Sequence, residues 1–239
     1  MTLLGLRAVR TLFTRPPNLG DVAAQTLAIG YQSLVVVALT AVFSSLVMVV
    51  QFGVQMARFG AKEYVGTVVS LSLVRELGPV LTALMVGGRV GAGITAEIGS
   101  MNVTEQIDAM RSMCGDPVRK LVLPRVIAGM ICLPLLTALA DMLGIFATML
   151  VSSLDTKLSL SYFYHAIAHA VLISDVVGGL VKTVFFGLGI TLIACHVGLN
   201  TRGGTEGVGR STTQTVVLTS IVTLISDFVM TKILLSFGL

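Results

Sequence analysis

The stretch that decides the fold runs from Leu71 to Arg125 and reads LSLVRELGPVLTALMVGGRVGAGITAEIGSMNVTEQIDAMRSMCGDPVRKLVLPR. It opens with a long apolar segment, from Leu71 to about Ile98, that carries only a few charged side chains. A short amphipathic piece, residues 102–114, follows, and a basic exit with prolines then leads into another apolar run. A helix needs roughly 20 apolar residues to cross a bilayer. The order therefore predicts a membrane span, a short surface helix and a second span.

The short piece has the spacing of an amphipathic helix. Asn102 and Glu105 are placed as in a capping box, which predicts that the helix begins there. Gly115 in a left-handed conformation, followed by Pro117, is expected to end it. One helical face then collects four residues, Val103, Ile107, Met110 and Cys114. On this pattern alone, an ordinary interfacial loop helix and a helix that docks a partner both remain open.

Two longer strings carry a resemblance to a known family. AEIGSMNVTEQIDAMRSMCGDPVRKLVLPRVIA, with VRELGPVLTALMVGGRVGAG before it, resembles the MlaE/YrbE family of ABC-transporter permeases. Members of that family are membrane subunits of phospholipid transport systems that work with MCE-domain proteins. The resemblance is dense from Leu71 to Pro134 and looser elsewhere. It implies that residues 102–114 form the cytoplasmic coupling helix that docks on the ATPase. The residues expected to carry this coupling are Glu105, Gln106, Ile107, Met110, Arg111 and Asp116.

The composition is that of an integral membrane protein. Of 239 residues, 54% are hydrophobic and 12% are charged, and the mean hydropathy is +0.93. Soluble domains carry about 25% charged residues. The net charge of +4 does not indicate nucleic-acid binding, because the basic residues flank apolar segments. The three cysteines have no paired spacing and are expected to be free thiols.

The expected fold is all-α, with one permease domain over residues 1–239. Residues 1–20 have the pattern of an amphipathic helix that lies in the membrane interface. The more polar segments 58–70, 152–168 and 198–210 are expected to be connections or loops. The predicted transmembrane helices are residues 28–57, 71–98, 122–151, 169–197 and 213–237.

The basic residues predict the orientation in the membrane. With a cytoplasmic N-terminus, nine of them lie in cytoplasmic segments and four lie outside. This is a positive-inside bias. It places the C-terminus in the periplasm and the short helix at 102–114 in the cytoplasm.

Charged side chains early in the second span suggest a functional site. Arg75 and Glu76 are ionisable groups in an apolar segment, and such groups usually have partners or face water. One interpretation is a structural ion pair; the other, favoured by the resemblance, is a polar patch that lines or gates a lipid cavity. Leu77 and Val80 are candidate apolar contacts beside them. The Gly-Pro pair between these two residues is expected to break or bend the helix.

Two stripes of small residues predict close helix packing. Gly87 and Gly91 form a GxxxG motif, and Gly179 and Gly187 lie on a similar stripe of the fourth span. Either stripe is also a candidate for a homodimer contact.

Further ionisable residues lie within the apolar spans. Asp175 and Lys182 are seven residues apart on one helical face and are expected to form interhelical pairs, as are Asp141 and Asp227. A proton relay is the alternative. His165 and His169 are one helical turn apart, which is a weak metal signal without a third ligand. No metal site or catalytic residue is predicted.

The function that the resemblance implies is an ATP-driven permease. It would move phospholipids between the bacterial inner membrane and an MCE-domain carrier, and so help to maintain outer-membrane lipid asymmetry. Because the sequence has no Walker A motif, ATP and Mg²⁺ are expected on a separate ABC ATPase subunit, which could carry a small accessory protein. This chain is expected to bind no cofactor and to form a homodimer. The rival hypotheses are a proton-coupled secondary lipid carrier and a non-transporting membrane anchor for an MCE complex.

Overall fold

The computed structural model describes residues 18–156 and 159–236. Within them the chain is all-helical, and five helices are long and apolar enough to cross a membrane, which confirms the predicted fold class. The predicted interfacial helix at 1–20 lies outside the described residues except at its end. The helices are α1 (Leu19–Arg58), α2 (Lys62–Val103), α3 (Gln106–Ser112), α4 (Val118–Asp155), α5 (Leu160–Ala170), α6 (Ile173–Leu199) and α7 (Gly204–Ser236).

The long helices extend well beyond their apolar segments. The first has 40 residues, or about 60 Å at 1.5 Å per residue, whereas the hydrocarbon core is about 30 Å thick. Segment 58–70, predicted as a connection, is mostly the helical start of α2, which begins at Lys62. Similarly, α7 begins at Gly204, inside the predicted loop 198–210. Hydropathy identifies the part of a helix that can lie in the bilayer. It does not locate the ends of the helix.

A second short helix replaces most of the predicted loop at 152–168. Ser159 caps α5, since its side chain accepts a hydrogen bond from the Tyr162 amide. Phe163 and Ile167 are buried at 0% and 5% exposure, one turn apart on the inner face of α5. The fourth long helix therefore begins at Ile173, and not at the predicted residue 169. The segment is polar on average, but its apolar residues have helical spacing.

The short helix α3 exists, although its predicted ends are wrong. Asn102 belongs to α2, and its Nδ2 atom donates to Thr201 O at 2.9 Å, so it caps nothing in α3. Glu105 is the N-cap residue and adopts a left-handed conformation with φ of 59°. At the other end Cys114, with φ of 57°, takes the left-handed position predicted for Gly115. The capping-box pattern failed because α2 continues through the predicted start.

The interior lies around α6, which contacts α2, α4 and α7. On the other side of α4, α1 packs along a ridge with a residue every four positions, from Ser33 through Val37, Ala41 and Ser45 to Val49. By contrast, only 11% of the most apolar window of α7 is buried. The outer faces of α1 and α7 are apolar, as expected for surfaces that contact lipid or another apolar helix.

Candidate functional site

The candidate site is built on a widened turn of α2. Residues Leu73–Leu77 form a π turn, and Pro79 follows it directly. Because proline has no amide hydrogen, it cannot donate to the carbonyl of Arg75, one turn earlier. Lys182 of α6 supplies the missing donor, since its Nζ atom lies 3.0 Å from Arg75 O. Irregular backbone inside a membrane protein is tolerated where other protein groups satisfy it in this way.

The same turn directs Arg75 to the start of α6. Its Nε and Nη2 atoms donate to Asp175 Oδ1 at 2.7 and 2.5 Å. The second oxygen of Asp175 accepts from the Leu172 amide at 2.9 Å, so this carboxylate also caps α6. The Asp175 side chain is 1% exposed, whereas that of Arg75 is 44% exposed. A buried carboxylate with a cation and a helix N-terminus has the partners that burial requires.

Lys182 is the centre of the site. Its Nζ atom lies 2.9 Å from Glu76 Oε1, 2.7 Å from Thr231 Oγ1 and 3.6 Å from Asp227 Oδ1. The Lys182 side chain is 4% exposed, and Glu76 is 42% exposed. Two carboxylates thus compensate a deeply buried ammonium group, which links α2, α6 and α7 at one level of the bundle.

These residues form a polar cluster, defined here as Arg75, Glu76, Asp175, Lys182, Asp227 and Thr231. Most of its members line a recess between α2, α6 and α7. The recess holds about 40 Å³, whereas pockets that bury drug-sized ligands hold roughly 300–1,000 Å³. The recess therefore has room for water only, and a lipid that reached the polar cluster would need a cavity that another surface helps to form.

From the sequence, Arg75 and Glu76 are expected to form a structural ion pair or part of a lipid cavity; the structure gives each a specific partner. They do not bond to one another; each pairs with a residue of α6 about 100 positions later. The interhelical pairing expected for Asp175 and Lys182 is present. The pairing expected for Asp227 is present too, since its Oδ1 atom lies 3.6 Å from Lys182 Nζ. The role of Thr231 was missed. Its signal is a polar residue at every fourth position of α7: Thr215, Thr219, Thr223, Asp227 and Thr231.

The two apolar candidates lie away from the recess. Leu77 lines a shallow groove with Phe43 and Val47 of α1, on another face of α2. Val80 is partly buried and is not among the residues that line the recess. Because α2 turns about 100° per residue, positions close in sequence to Arg75 need not share its environment.

The GxxxG stripe of α2 faces α6 and α7 of the same chain. A Cβ atom on Gly87 would lie 3.3 Å from Thr219 Oγ1, and one on Gly91 would lie 3.5 Å from a Thr215 methyl group. Ile190 of α6 is also within van der Waals distance of both positions. The small residues let three helices approach one another.

The α6 stripe makes closer contacts. A Cβ atom on Gly179 would lie 2.5 Å from Val74 O, at the π turn of α2. One on Gly187 would lie 2.5 Å from Gly129 O of α4. Real Cβ atoms do not approach other atoms this closely, so both positions require glycine or a shift of the neighbouring helix.

At the other end of α2, α3 presents a charged outer face. Ile107 is 0% exposed and packs against this chain's own core, and Met110 is half-buried beside it. Ile107 therefore anchors α3 and is not available to a partner, which corrects its place among the coupling candidates. The candidates that are exposed are Glu105, Gln106, Arg111 and Asp116.

A buried arginine links the two helices that flank α3 in the sequence. Arg125 is 3% exposed; its Nη2 atom lies 2.7 Å from Glu97 Oε1, and its Nη1 atom donates to Leu121 O at 2.7 Å. The pair joins the end of α2 to the start of α4, on either side of α3. Sequence spacing did not reveal it, because the two residues are on different helices.

The structure shows no metal centre in its described parts. No group of three or more His, Cys, Asp or Glu residues there could hold an ion. His165 and His169 both lie on the exposed side of α5.

Comparison with known proteins places the chain in a family. The family Permease MlaE matches residues 22–233. A probable ABC transporter permease of Rickettsia felis is 42% identical over 232 residues, which cover 97% of this chain and 90% of the relative. A probable ABC transporter permease of Synechocystis is 39% identical, with 88% and 80% covered. The intermembrane phospholipid transport system permease protein MlaE of Haemophilus influenzae is 38% identical, with 90% and 82% covered. The chain therefore belongs to the MlaE permease family, and is a multi-pass membrane permease.

Proposed function

We propose that this chain is the permease subunit of an ATP-driven ABC transporter in a bacterial inner membrane. It moves phospholipids between that membrane and an MCE-domain carrier, and so helps to maintain outer-membrane lipid asymmetry. The observation that carries the proposal is that α2 connects the polar cluster to α3. One continuous helix holds the polar cluster at Arg75 and leads into α3 after Val103, about 42 Å further along its axis at 1.5 Å per residue.

The proposed ATPase contact is the exposed face of α3. Glu105, Asp108 and Arg111 are exposed there, while Ile107 fixes the helix to the bundle. Because Ile107 holds α3 in the bundle, a displacement of α3 would also displace α2 and α4. The ATPase subunit, with any accessory protein bound to it, holds the ATP and Mg²⁺, and this chain needs no cofactor.

The proposed lipid path requires two copies of the chain. The recess in one chain is too small for a phospholipid, and few residues in the most apolar part of α7 are buried. A homodimer that encloses a cavity beside α7 would provide the missing wall. Arg75 and Glu76, each more than 40% exposed, would then meet the charged headgroup at the edge of that cavity.

The proposed orientation follows from the basic residues. The N-terminus and α3 lie in the cytoplasm, and the C-terminus and the polar cluster lie towards the periplasm. ATP-driven closure of the ATPase dimer would move α3. The movement would reach the polar cluster along α2, and would open the cavity towards the MCE-domain protein.

The docking proposal is tested with a charge swap on α3. Asp108 and Arg111 form an exposed i,i+3 pair at 2.9 Å. The double variant Asp108→Arg/Arg111→Asp keeps a pair within the helix but reverses the pattern that a partner meets. We expect it to lose the co-purifying ATPase in mild detergent. Arg58→Asp, at the exposed end of α1 on the opposite side of the bundle, is the control and should retain it. Full recovery of the ATPase with the double variant would contradict docking at α3.

Reconstitution separates the proposal from its rivals. Lipid movement in vesicles that contain the permease, the ATPase and the MCE-domain protein should require ATP hydrolysis. Movement driven by a proton gradient without the ATPase would favour a secondary carrier. Assembly of the complex without any lipid movement under either condition would favour a membrane anchor.

A further inference from the structure

One buried carboxyl group stands outside the polar cluster. Asp141 lies in the middle of α4 and is 7% exposed. Its Oδ1 atom is buried, and no hydrogen-bond partner reaches it among the residues that the structure describes. Nor does any ion pair within residues 18–156 and 159–236 include it. An ionised carboxylate in such a place has neither a cation nor donors to offset its loss of hydration.

Asp141 sits in a notch that Gly78 leaves in α2. A Cβ atom on Gly78 would overlap Asp141 Oδ1, and the same point lies 3.0 Å from Leu73 O. The carboxyl group and a main-chain oxygen of the π turn therefore both lie within about 3 Å of this notch. Both are hydrogen-bond acceptors if Asp141 is ionised, and they would repel each other. If the carboxyl group is protonated, it becomes a donor and the contact becomes favourable.

Among the described residues, no cation on a neighbouring helix forms an ion pair with Asp141. The helices α1, α2, α5 and α6 pack against α4. Of these, α1 has no charged residue between Asp21 and Arg58, and α5 carries only His165 and His169, which are exposed. On α2, Glu63 is exposed at the start of the helix. The other charged groups of α2 and α6 have these partners: Arg75 with Asp175, Glu76 with Lys182, Lys62 with Asp155, Glu97 with Arg125, and Arg89 with Gln32 O.

The surroundings of Asp141 on its own helix suit a neutral group. Thr137 lies one turn earlier on the same face, is 0% exposed, and its Oγ1 atom also has no partner among the described residues. Between Arg125 and Asp155, α4 has no other charged residue. The surroundings therefore hold hydroxyl and carbonyl groups but no cation, which suits a neutral carboxyl group.

We propose that Asp141 is a proton-binding site. Its carboxyl group is neutral within the membrane, and its proton is directed to a main-chain oxygen of the α2 π turn, for which Leu73 O beside the Gly78 notch is the candidate. Loss of the proton would place a negative charge against that oxygen and separate α4 from the turn that positions Arg75 and Glu76. Proton occupancy at Asp141 is thereby linked to the geometry of the polar cluster. The proposal does not depend on the lipid-transport assignment.

The test compares two isosteric substitutions in the purified full-length protein. Asp141→Asn replaces a neutral carboxyl group by a neutral amide, whereas Asp175→Asn removes the charge that Arg75 requires. We expect Asp141→Asn to keep the wild-type thermal midpoint within a few degrees and Asp175→Asn to lower it clearly. The infrared difference spectrum of wild type minus Asp141→Asn should contain the C=O stretch of a protonated carboxylic acid.

Two results would overturn the proposal. One is a difference spectrum that contains only the bands of an ionised carboxylate. The other is a loss of stability in Asp141→Asn as large as that in Asp175→Asn. If Asp141→Asn does not fold, Asp141→Ser becomes the reference for the spectrum. Failure of both neutral variants to fold also counts against a neutral carboxyl group, since either side chain can hydrogen-bond without charge.

Discussion

Lys182 of α6 donates a hydrogen bond to the main-chain oxygen of Arg75 in α2, 3.0 Å away. This bond takes the place of the helical one that Pro79 cannot make. A side chain of one helix thus completes the backbone of another. The same ammonium group also contacts Glu76, Asp227 and Thr231, so the irregular turn and the polar cluster form one structural unit.

Removal of Lys182 should destabilise the bundle. Lys182→Met keeps the length of the side chain but leaves Arg75 O without its donor and two carboxylates without a cation. Breaking a buried pair in this way costs roughly 3–5 kcal/mol. We expect a large drop in the thermal midpoint of the detergent-purified protein. Lys232→Met, at an exposed position on α7, should change it little; equal effects of the two variants would argue against the central role of Lys182.

A methyl group at Gly78 should clash with Asp141. Gly78→Ala places a Cβ atom on the Asp141 carboxyl group, and overpacking of this kind costs roughly 1–3 kcal/mol. Gly93→Ala on the same helix meets open space and should be neutral. Asp141→Ala should restore most of the stability lost by Gly78→Ala, as measured by a double-mutant cycle of unfolding midpoints. Additive losses in the cycle would mean that the two residues do not touch.

The crossing of α4 and α6 should depend on Gly187. Gly187→Ala would bring a Cβ atom to 2.5 Å from Gly129 O, so the helices must separate. Gly189→Ala, two residues later, would lie 3.8 Å from Val222 and is the matched control. We expect the first variant to lower stability by about 1–3 kcal/mol and the second to leave it unchanged, as measured by thermal unfolding. A neutral Gly187→Ala would show that the two helices part easily.

Truncation of Ile107 should weaken the fold of this chain. Ile107 is fully buried, and Ile→Ala in a core costs roughly 2–5 kcal/mol. Met113, at 78% exposure just after α3, offers a control in which Met113→Ala should be neutral for stability. Size-exclusion profiles and unfolding midpoints of the permease alone measure the effect. If Ile107→Ala changed only ATPase binding, with normal stability, Ile107 would have to face the partner after all.

Loss of the Arg75 charge should reduce transport as well as stability, because the buried Asp175 carboxylate also loses its cation. Arg75 is partly exposed at the recess, so Arg75→Gln removes a charge from the proposed lipid path while a polar side chain remains. We expect ATP-dependent lipid transfer to fall several-fold in reconstituted vesicles. Leu77→Ala, on the face towards α1, is the control and should transfer lipid normally. Normal transfer by Arg75→Gln would remove this residue from the lipid path.

Patterns within single segments were read correctly where one physical property dominated. Apolar length revealed the five long helices, and the Leu71–Arg125 stretch revealed α3 and the family. The same reasoning misplaced helix ends at Lys62, Gly204 and Glu105, because polar residues continue a helix beyond the bilayer. It missed α5, in which only two residues are buried, Phe163 and Ile167. Candidate residues Arg75 and Glu76 lie in the polar cluster, whereas Leu77 does not.

The sequence by itself determined that this chain is a multi-pass helical membrane protein of the MlaE permease family, since hydropathy and motif are properties of neighbouring residues. Only the tertiary structure decided which charges meet. Arg75 pairs with Asp175 and Glu76 with Lys182 across about 100 residues, while Asp141 pairs with nothing among the described residues. The packing of the helices also decided that Ile107 faces the core of this chain. The physical reason is that burial and ion pairing depend on how separate helices pack against each other, and no spacing along one helix specifies that.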